Sequence, residues 1–178
     1  MGRDKATMVF KDKPLIAHIY DVVREIFPHV SIISSYHESI PGLKAPILKD
    51  FFPVQGPLVG IVSALLNAPT DYTFVVGCDM PFVRKDVITS IIEQARGEDV
   101  VIPRTNKGYE PLHALYRRSC LAPMLCAIER GVIGVRQTFP FLSVRVLEEA
   151  DCFFRNGLFT FTNVNTEEEL SRAEILNG

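Results

Sequence analysis

Apolar residues recur along this chain with two distinct periods. Between positions 14 and 27, Leu15, Ile16, Ile19, Val22, Val23 and Ile26 follow one another at helical spacing, which predicts an amphipathic helix with a proline in its first turn. Pro28 stops it, and residues 30–34 then read as a short buried strand. A polar, proline-bearing loop leads to a second short strand at 46–50. Residues 56–66 are apolar almost all round, so a helix there must pack deeply against a sheet. The run 72–78 is β-rich and continuously apolar, as in a strand covered on both faces within a parallel sheet. The spacing of Val87, Ile88, Ile91, Ile92 and Ala95 predicts a helix over 84–96, and 99–103 is the next strand.

Strands and helices in this alternation predict an α/β domain with a doubly wound, mostly parallel but mixed sheet of Rossmann-like type. The C-terminal third is less regular and is expected to face a substrate. Residues 111–116, 144–147 and 159–162 read as strands, and 120–129 as a helix capped by Ser119. Thr166-Glu167-Glu168-Glu169 has the form of a capping box opening a last helix through Leu170, Ala173 and Ile175.

With 178 residues and 47% hydrophobic content, the chain supports one well-buried domain, taken as 1–178, and is too short for two of this kind. A formal charge of −2 with scattered basic residues argues against nucleic acid as a partner. No stretch reaches the apolar length a bilayer requires, and positions 1–5 lack the apolar core of a signal peptide, so no membrane partner and a cytoplasmic location are expected. Cys78, Cys120, Cys126 and Cys152 are irregularly spaced in apolar surroundings, which favours buried reduced thiols over a disulfide or zinc site.

The position richest in chemistry is Asp79. An apolar strand that ends in Gly77-Cys78-Asp79-Met80-Pro81 delivers one carboxylate to the edge of the sheet where ligands of open α/β folds bind. A lone aspartate of this kind suits Mg²⁺, which takes one or two carboxylates and completes its octahedron with phosphate oxygens and water, although capping the turn or the next helix would explain it as well. Gly56-Pro57-Leu58-Val59-Gly60 opens the buried helix with backbone that a sugar or flat ring can approach closely, or forms a tight loop-to-helix junction. Asp50 sits just upstream at a strand end, as an acceptor for a base or ribose or as a turn former. Lys5, beside Gly2 and Arg3, is a possible phosphate contact in what otherwise reads as a solvated terminus.

In order along nearly the whole chain, these blocks resemble the molybdenum cofactor guanylyltransferase (MobA-like) family of nucleotidyltransferases. The matching segments are Met-Gly-Arg-Asp-Lys-Ala at 1–6, Gly-Pro-Leu-Val-Gly-Ile at 56–61, Gly-Cys-Asp-Met-Pro-Phe at 77–82, Glu-Pro-Leu-His-Ala-Leu-Tyr at 110–116 and Asn-Val-Asn-Thr at 163–166. The resemblance implies transfer of GMP from Mg²⁺-bound GTP to a terminal phosphate of molybdopterin, with release of pyrophosphate. It also implies that Lys5 contacts the nucleotide phosphates, Asp50 and Gly56 the guanosine, Asp79 the metal, and Asn163 and Asn165 the pterin side. Protein partners that deliver the cofactor are possible in such a pathway. Glu110 departs from the glutamine often found in the family, which speaks against a direct contact with an anionic substrate. His113 is expected to be partly buried and hydrogen-bonded, without an acid–base role, and Asn163 and Asn165 have turn and pre-cap roles as an alternative to ligand contact.

The family also begins with a strand and a turn of the type Leu-Ala-Gly-Gly-x-Ser-x-Arg, directly before the segment that opens this chain. The expected explanation is a sequence that is part of a longer polypeptide, or a start placed at an internal methionine, ahead of the third alternative, a decayed or regulatory relative. A chain without that turn is expected to bind GTP weakly or not at all. The rival readings are a cytidylyltransferase or a sugar-phosphate or isoprenoid nucleotidyltransferase of the same fold, and a non-catalytic nucleotide-binding relative. Gly56-Pro57-Leu58 and Asn163-Val164-Asn165 favour the guanylyltransferase.

Overall fold

A computed structural model describes residues 8–10, 12–52, 55–148, 158–164, 166 and 168–169. Two short strands, β1 (Val9–Phe10) and β2 (Lys13–Pro14), pair antiparallel and lead into α1 (Leu15–Val23), which buries Leu15, Ile16, Ala17, Ile19 and Val23. The helix is shorter than the hydrophobic spacing suggests, because after Arg24 the chain continues to Phe27 in turns. β3 (Ile32–Ser34) and β4 (Ile47–Lys49) form a parallel pair with Ile32 opposite Ile47.

Helix α2 (Pro57–Asn67) starts with proline, whose fixed φ and missing N–H suit the first turn. Leu58, Val59, Ile61, Val62 and Leu65 are buried on it, and it packs on β3, on β5 (Tyr72–Val76) and against α4 (Leu121–Glu129). α3 (Lys85–Glu93) covers the other side through Val87, Ile88 and Ile91. Fully buried Leu58, Ile61, Leu65, Ile102, Tyr116 and Met124 fill the space between α2, α4 and the sheet. Each such side chain contributes roughly 1.5–3 kcal/mol by leaving water.

The main sheet joins β5, β6 (Val100–Thr105), β7 (Gly108–Tyr109), β8 (His113–Arg117) and β9 (Val144–Glu148). It is mixed, as the alternation of elements predicts, but its ladders are mostly antiparallel rather than mostly parallel. β8 lies antiparallel between β5 and β6, β7 folds back on β6, and the β6–β9 ladder is the parallel one. β5, β6 and β9 still run in a common direction. An apolar run does not encode the direction of its neighbours, so inserting β8 leaves the hydrophobic pattern unchanged.

Three local expectations need correction. Residues 159–162 do not form a strand: Leu158–Phe161 is a 3₁₀ turn whose Thr160 and Phe161 are buried. Ser119 does not cap the helix but donates to the Asp99 carboxylate, and a 3₁₀ turn at Arg118–Cys120 precedes α4. The thiols are not uniformly buried, since Cys120 is buried, Cys78 half-buried and Cys126 exposed; among the described residues none of these three forms a disulfide, and Cys152 lies outside them. Burial pushes the Cys120 thiol up to about 12, so it is inert at neutral pH. At Thr166 the capping-box reading fits, because its hydroxyl accepts from the Glu169 amide at 3.1 Å, while most of the helix expected beyond lies outside the described residues. Among the described residues no helix is long and apolar enough to cross a membrane.

Candidate active site

Between β7 and β8 the residues Glu110-Pro111-Leu112 interrupt the antiparallel arm that runs beside β6. Two prolines stand at the break: Pro103 on β6 and Pro111 on the returning arm have no N–H to give to a ladder. The chain bridges it with other bonds, from the Glu110 amide to the Pro103 carbonyl at 3.0 Å and from the His113 amide to the Glu110 carbonyl at 3.0 Å. The buried Tyr116 hydroxyl donates to the Pro111 carbonyl at 2.8 Å, which pins the interruption from below.

This interruption lies against the end of β5. His113 pairs with Val76 in register, and the Gly77 amide continues the ladder by donating to the Leu112 carbonyl at 2.8 Å. Asp79 follows, half-buried, with Met80 and Pro81 buried behind it. A side chain on Gly77 would place its Cβ 2.6 Å from Asp79 Oδ1, so the glycine leaves the space this carboxylate fills. The Val164 amide donates to the Asp79 carbonyl at 2.8 Å, and the Arg84 amide donates to the buried Thr160 hydroxyl at 3.1 Å. The segment 158–164 therefore straps down the loop after β5, and the exposed Asn163 immediately precedes the residue bonded to Asp79.

Glu110 completes this group. Its carboxyl is held above the ordinary range chiefly by burial; the Thr105 hydroxyl at 3.0 Å and the charge of Lys107 act against the rise, and the charge of Asp79 adds to it. The Asp79 and Glu110 carboxylates thus lie near enough at this sheet edge for one charge to act on the other. They fit a hard divalent cation completed by ligand oxygens better than an all-protein cage, and among the described residues no cluster of three or more His, Cys, Asp or Glu side chains forms one.

A second group forms at the start of α2. Asp50, after β4, accepts at Oδ1 from the Ser63 hydroxyl at 2.5 Å and from the Phe52 amide at 3.4 Å, and Ser63 Oγ also accepts from the Phe51 amide at 3.2 Å. Gly56 precedes α2 with extended backbone, and a Cβ there would meet Ile133 Cβ at 3.3 Å. Close approach of residue 133 is thus one reason for glycine at 56. At Gly60 an added Cβ meets open space, so close packing does not explain that glycine.

Of the residues singled out in the sequence, Asp79 and Asn163 come together, and Asp50 and Gly56 flank the start of α2. Lys5 and Asn165 lie outside the described residues. His113 is not partly buried and hydrogen-bonded: it is fully buried, edge-on to Phe74 and Phe161, with no hydrogen-bond partner for either ring nitrogen among the described residues. Burial pushes its pKa down to about 3, so it stays neutral. Sequence reasoning missed Ser63, although a lone hydroxyl amid the apolar residues of α2 was the available signal.

Comparison with known proteins places the chain in a family and a fold. The model of the MobA-like NTP transferase domain matches residues 1–139. A molybdenum cofactor guanylyltransferase of Desulfosudis oleivorans is 32% identical over 175 residues, covering 97% of this chain and 87% of that protein. The crystal structure of molybdopterin-guanine dinucleotide biosynthesis protein A from Archaeoglobus fulgidus superposes with a TM-score of 0.80 at 25% identity, over 99% of this chain and 93% of that one. The 2-C-methyl-D-erythritol 4-phosphate cytidylyltransferase of Thermus thermophilus shares the fold, with a TM-score of 0.72 at 16% identity over 97% and 93% of the two chains.

Proposed function

The chain belongs to the MobA-like NTP transferase family, and we propose from that premise that it transfers GMP from GTP to molybdopterin, forming the guanine dinucleotide cofactor. In this reaction an oxygen of the acceptor's terminal phosphate forms a bond to the α-phosphorus of GTP. The bond from that phosphorus to the bridging oxygen of the β-phosphate breaks, and pyrophosphate leaves. The step needs alignment and charge neutralisation rather than a covalent nucleophile.

Asp79 carries the reading: it is half-buried at the end of β5, its backbone carbonyl is bonded by Val164, and Gly77 leaves the space its carboxylate fills. Asp79 would hold Mg²⁺, which would supply Lewis-acid neutralisation of the triphosphate. Glu110, whose carboxyl burial raises above the usual range and whose Oε1 accepts from the Thr105 hydroxyl, stands near Asp79 as a second oxygen donor to the same site. The Asp50 carboxylate, set by Ser63, accepts from guanosine, and the loop at Gly56 lies along the ribose. Lys5 is assigned to the nucleotide phosphates, and Asn163 and Asn165 to the pterin side.

The relatives' names support GTP and molybdopterin as the substrate pair, while the fold alone is shared with a cytidylyltransferase. Thermal shift with GTP, CTP and UTP in Mg²⁺ tests the choice. Stabilisation by GTP is expected, and stabilisation by CTP alone overturns it.

A further inference from the structure

A cavity of about 540 Å³ opens between the N-terminus of α2, the β6–β7 turn and the 3₁₀ turn Val135–Phe141. Pro57, Arg104, Lys107, Tyr109, Arg136 and Phe139 line it. Its basic groups are unequally engaged. Arg104 spends its charge on Glu148 in a two-pronged pair at 2.9 and 2.5 Å. Arg136 and Lys107 line the cavity and make no salt bridge among the described residues, although the charge of Lys107 is felt by the Glu110 carboxyl.

Arg136 is exposed, but the turn that carries it is fixed. Its neighbours Val135 and Thr138 are buried, and the Thr138 hydroxyl donates to the Val135 carbonyl at 2.7 Å, which fixes the turn. The guanidinium lies 5.6 Å from the centre of the Tyr109 ring, and Tyr109 is itself held edge-to-face by Phe139 at 5.3 Å. A planar cation held against an aromatic ring keeps its N–H fork free for an oxyanion, the arrangement that suits a phosphate. The other walls are apolar, and the volume exceeds what an inorganic anion needs.

The cavity adjoins both groups of the candidate active site. Pro57 is the first residue of α2, next to Gly56, and Pro111 forms a wall next to Glu110, which feels the charge of Asp79. We propose that this cavity is the acceptor subsite, where Arg136, supported by Lys107, binds the phosphate of a phosphorylated heterocyclic acceptor. The inference rests on the proposed transfer reaction, because that reaction requires a second anionic substrate beside the nucleotide. It also assigns Lys107, Tyr109 and Arg136 a joint role that the Asn163 motif does not cover.

The full chain is tested as wild type, R136A, R136K and K107A. With Mg²⁺-GTP saturating, R136A is expected to raise the KM for molybdopterin about tenfold or more and K107A by less. R136K should recover part of the loss, as a point charge replaces a fork. The Kd for Mg²⁺-GTP should stay within about twofold in all three. An unchanged molybdopterin KM, or a loss confined to GTP affinity, overturns the subsite. Should the wild type join no nucleotide to molybdopterin, the proposed function fails, and a titration with inorganic phosphate decides the cavity separately. A saturable shift of the Arg136 Nε–H resonance, lost in K107A or weakened several-fold, supports an anion site there; an unmoved resonance overturns it.

Discussion

The amide of Val164 donates to the carbonyl of Asp79 at 2.8 Å, which ties the Asn163-Val164 motif to the carboxylate assigned to the metal. Val164 is fully buried with Met8, Phe10 and Leu15, so the bond is anchored in core rather than at a mobile surface. Two sequence blocks far apart in the chain thereby become one piece of structure. The Asp79 loop is positioned from three sides: by Gly77 through Leu112, by Val164, and by the buried Met80 and Pro81.

Gly77→Ala is expected to damage function while sparing the fold. Its new Cβ would lie 2.6 Å from Asp79 Oδ1, and a carboxylate can swing away where backbone could not. Displacing a catalytic group by about 1 Å costs on the order of a hundredfold in rate. Activity within threefold of wild type, measured as kcat/KM for GTP, would show that the Asp79 pose is not what the reaction uses.

Ser63→Ala removes the 2.5 Å donor to Asp50 and the acceptor for the Phe51 amide. A hydrogen bond to a charged group contributes roughly 1.5–3 kcal/mol, so urea unfolding should report a loss of that order. Affinity for GTP should fall with it, and Ser63→Thr should restore part of both. Destabilisation with unaltered nucleotide affinity would remove Asp50 from guanosine recognition.

His113 predicts acid lability. Its folded pKa is about 3 against an ordinary 6.5. Above 6.5 neither state binds the proton. Below it the unfolded chain does and the folded chain does not, so stability falls as pH drops toward 3, with a slope approaching about 1.4 kcal/mol per pH unit. Whatever His113→Leu does at pH 7, its stability between pH 6 and 4 should fall less steeply than that of wild type. Parallel curves for the two proteins would mean that His113 finds a proton-accepting environment.

Glu110 works in the opposite direction. Burial, with the charge of Asp79 adding to it, holds its carboxyl above 4.5 in the fold, so its contribution to stability is full below 4.5 and is lost as pH rises through the folded value. Glu110→Gln should therefore melt higher than wild type at pH 7, with the difference closing below pH 4.5. Thermal melts across this range measure it, and a difference independent of pH argues against a strained carboxyl.

Much of this architecture was legible in the sequence because periodic burial leaves a mark. Ile88 and Ile91 on α3, or Leu58, Ile61 and Leu65 on α2, have to face the core, and that fixes where the helices lie. Asp79 was legible for a related reason, a charge closing an apolar strand. Ladder direction left no mark, so β8 between β5 and β6 was not foreseen. The β6–β7 hairpin turns through Asn106 and Lys107 onto Gly108, whose φ of +122° only glycine adopts readily, a signal present but unread. Residues 159–162 have the aromatic and β-branched content of a strand, but Phe161 is used to close the core over His113. The pairing of Arg136 with Tyr109 joins residues whose sequence neighbours give no hint of each other.

The most direct test follows transfer of the α-phosphate from α-labelled GTP to molybdopterin by wild type and Asp79→Ala, each with and without Mg²⁺. The account predicts labelled dinucleotide from the wild type in Mg²⁺ alone, its loss on chelation, and none above background from a variant that still melts like wild type. Undiminished transfer by Asp79→Ala would contradict it.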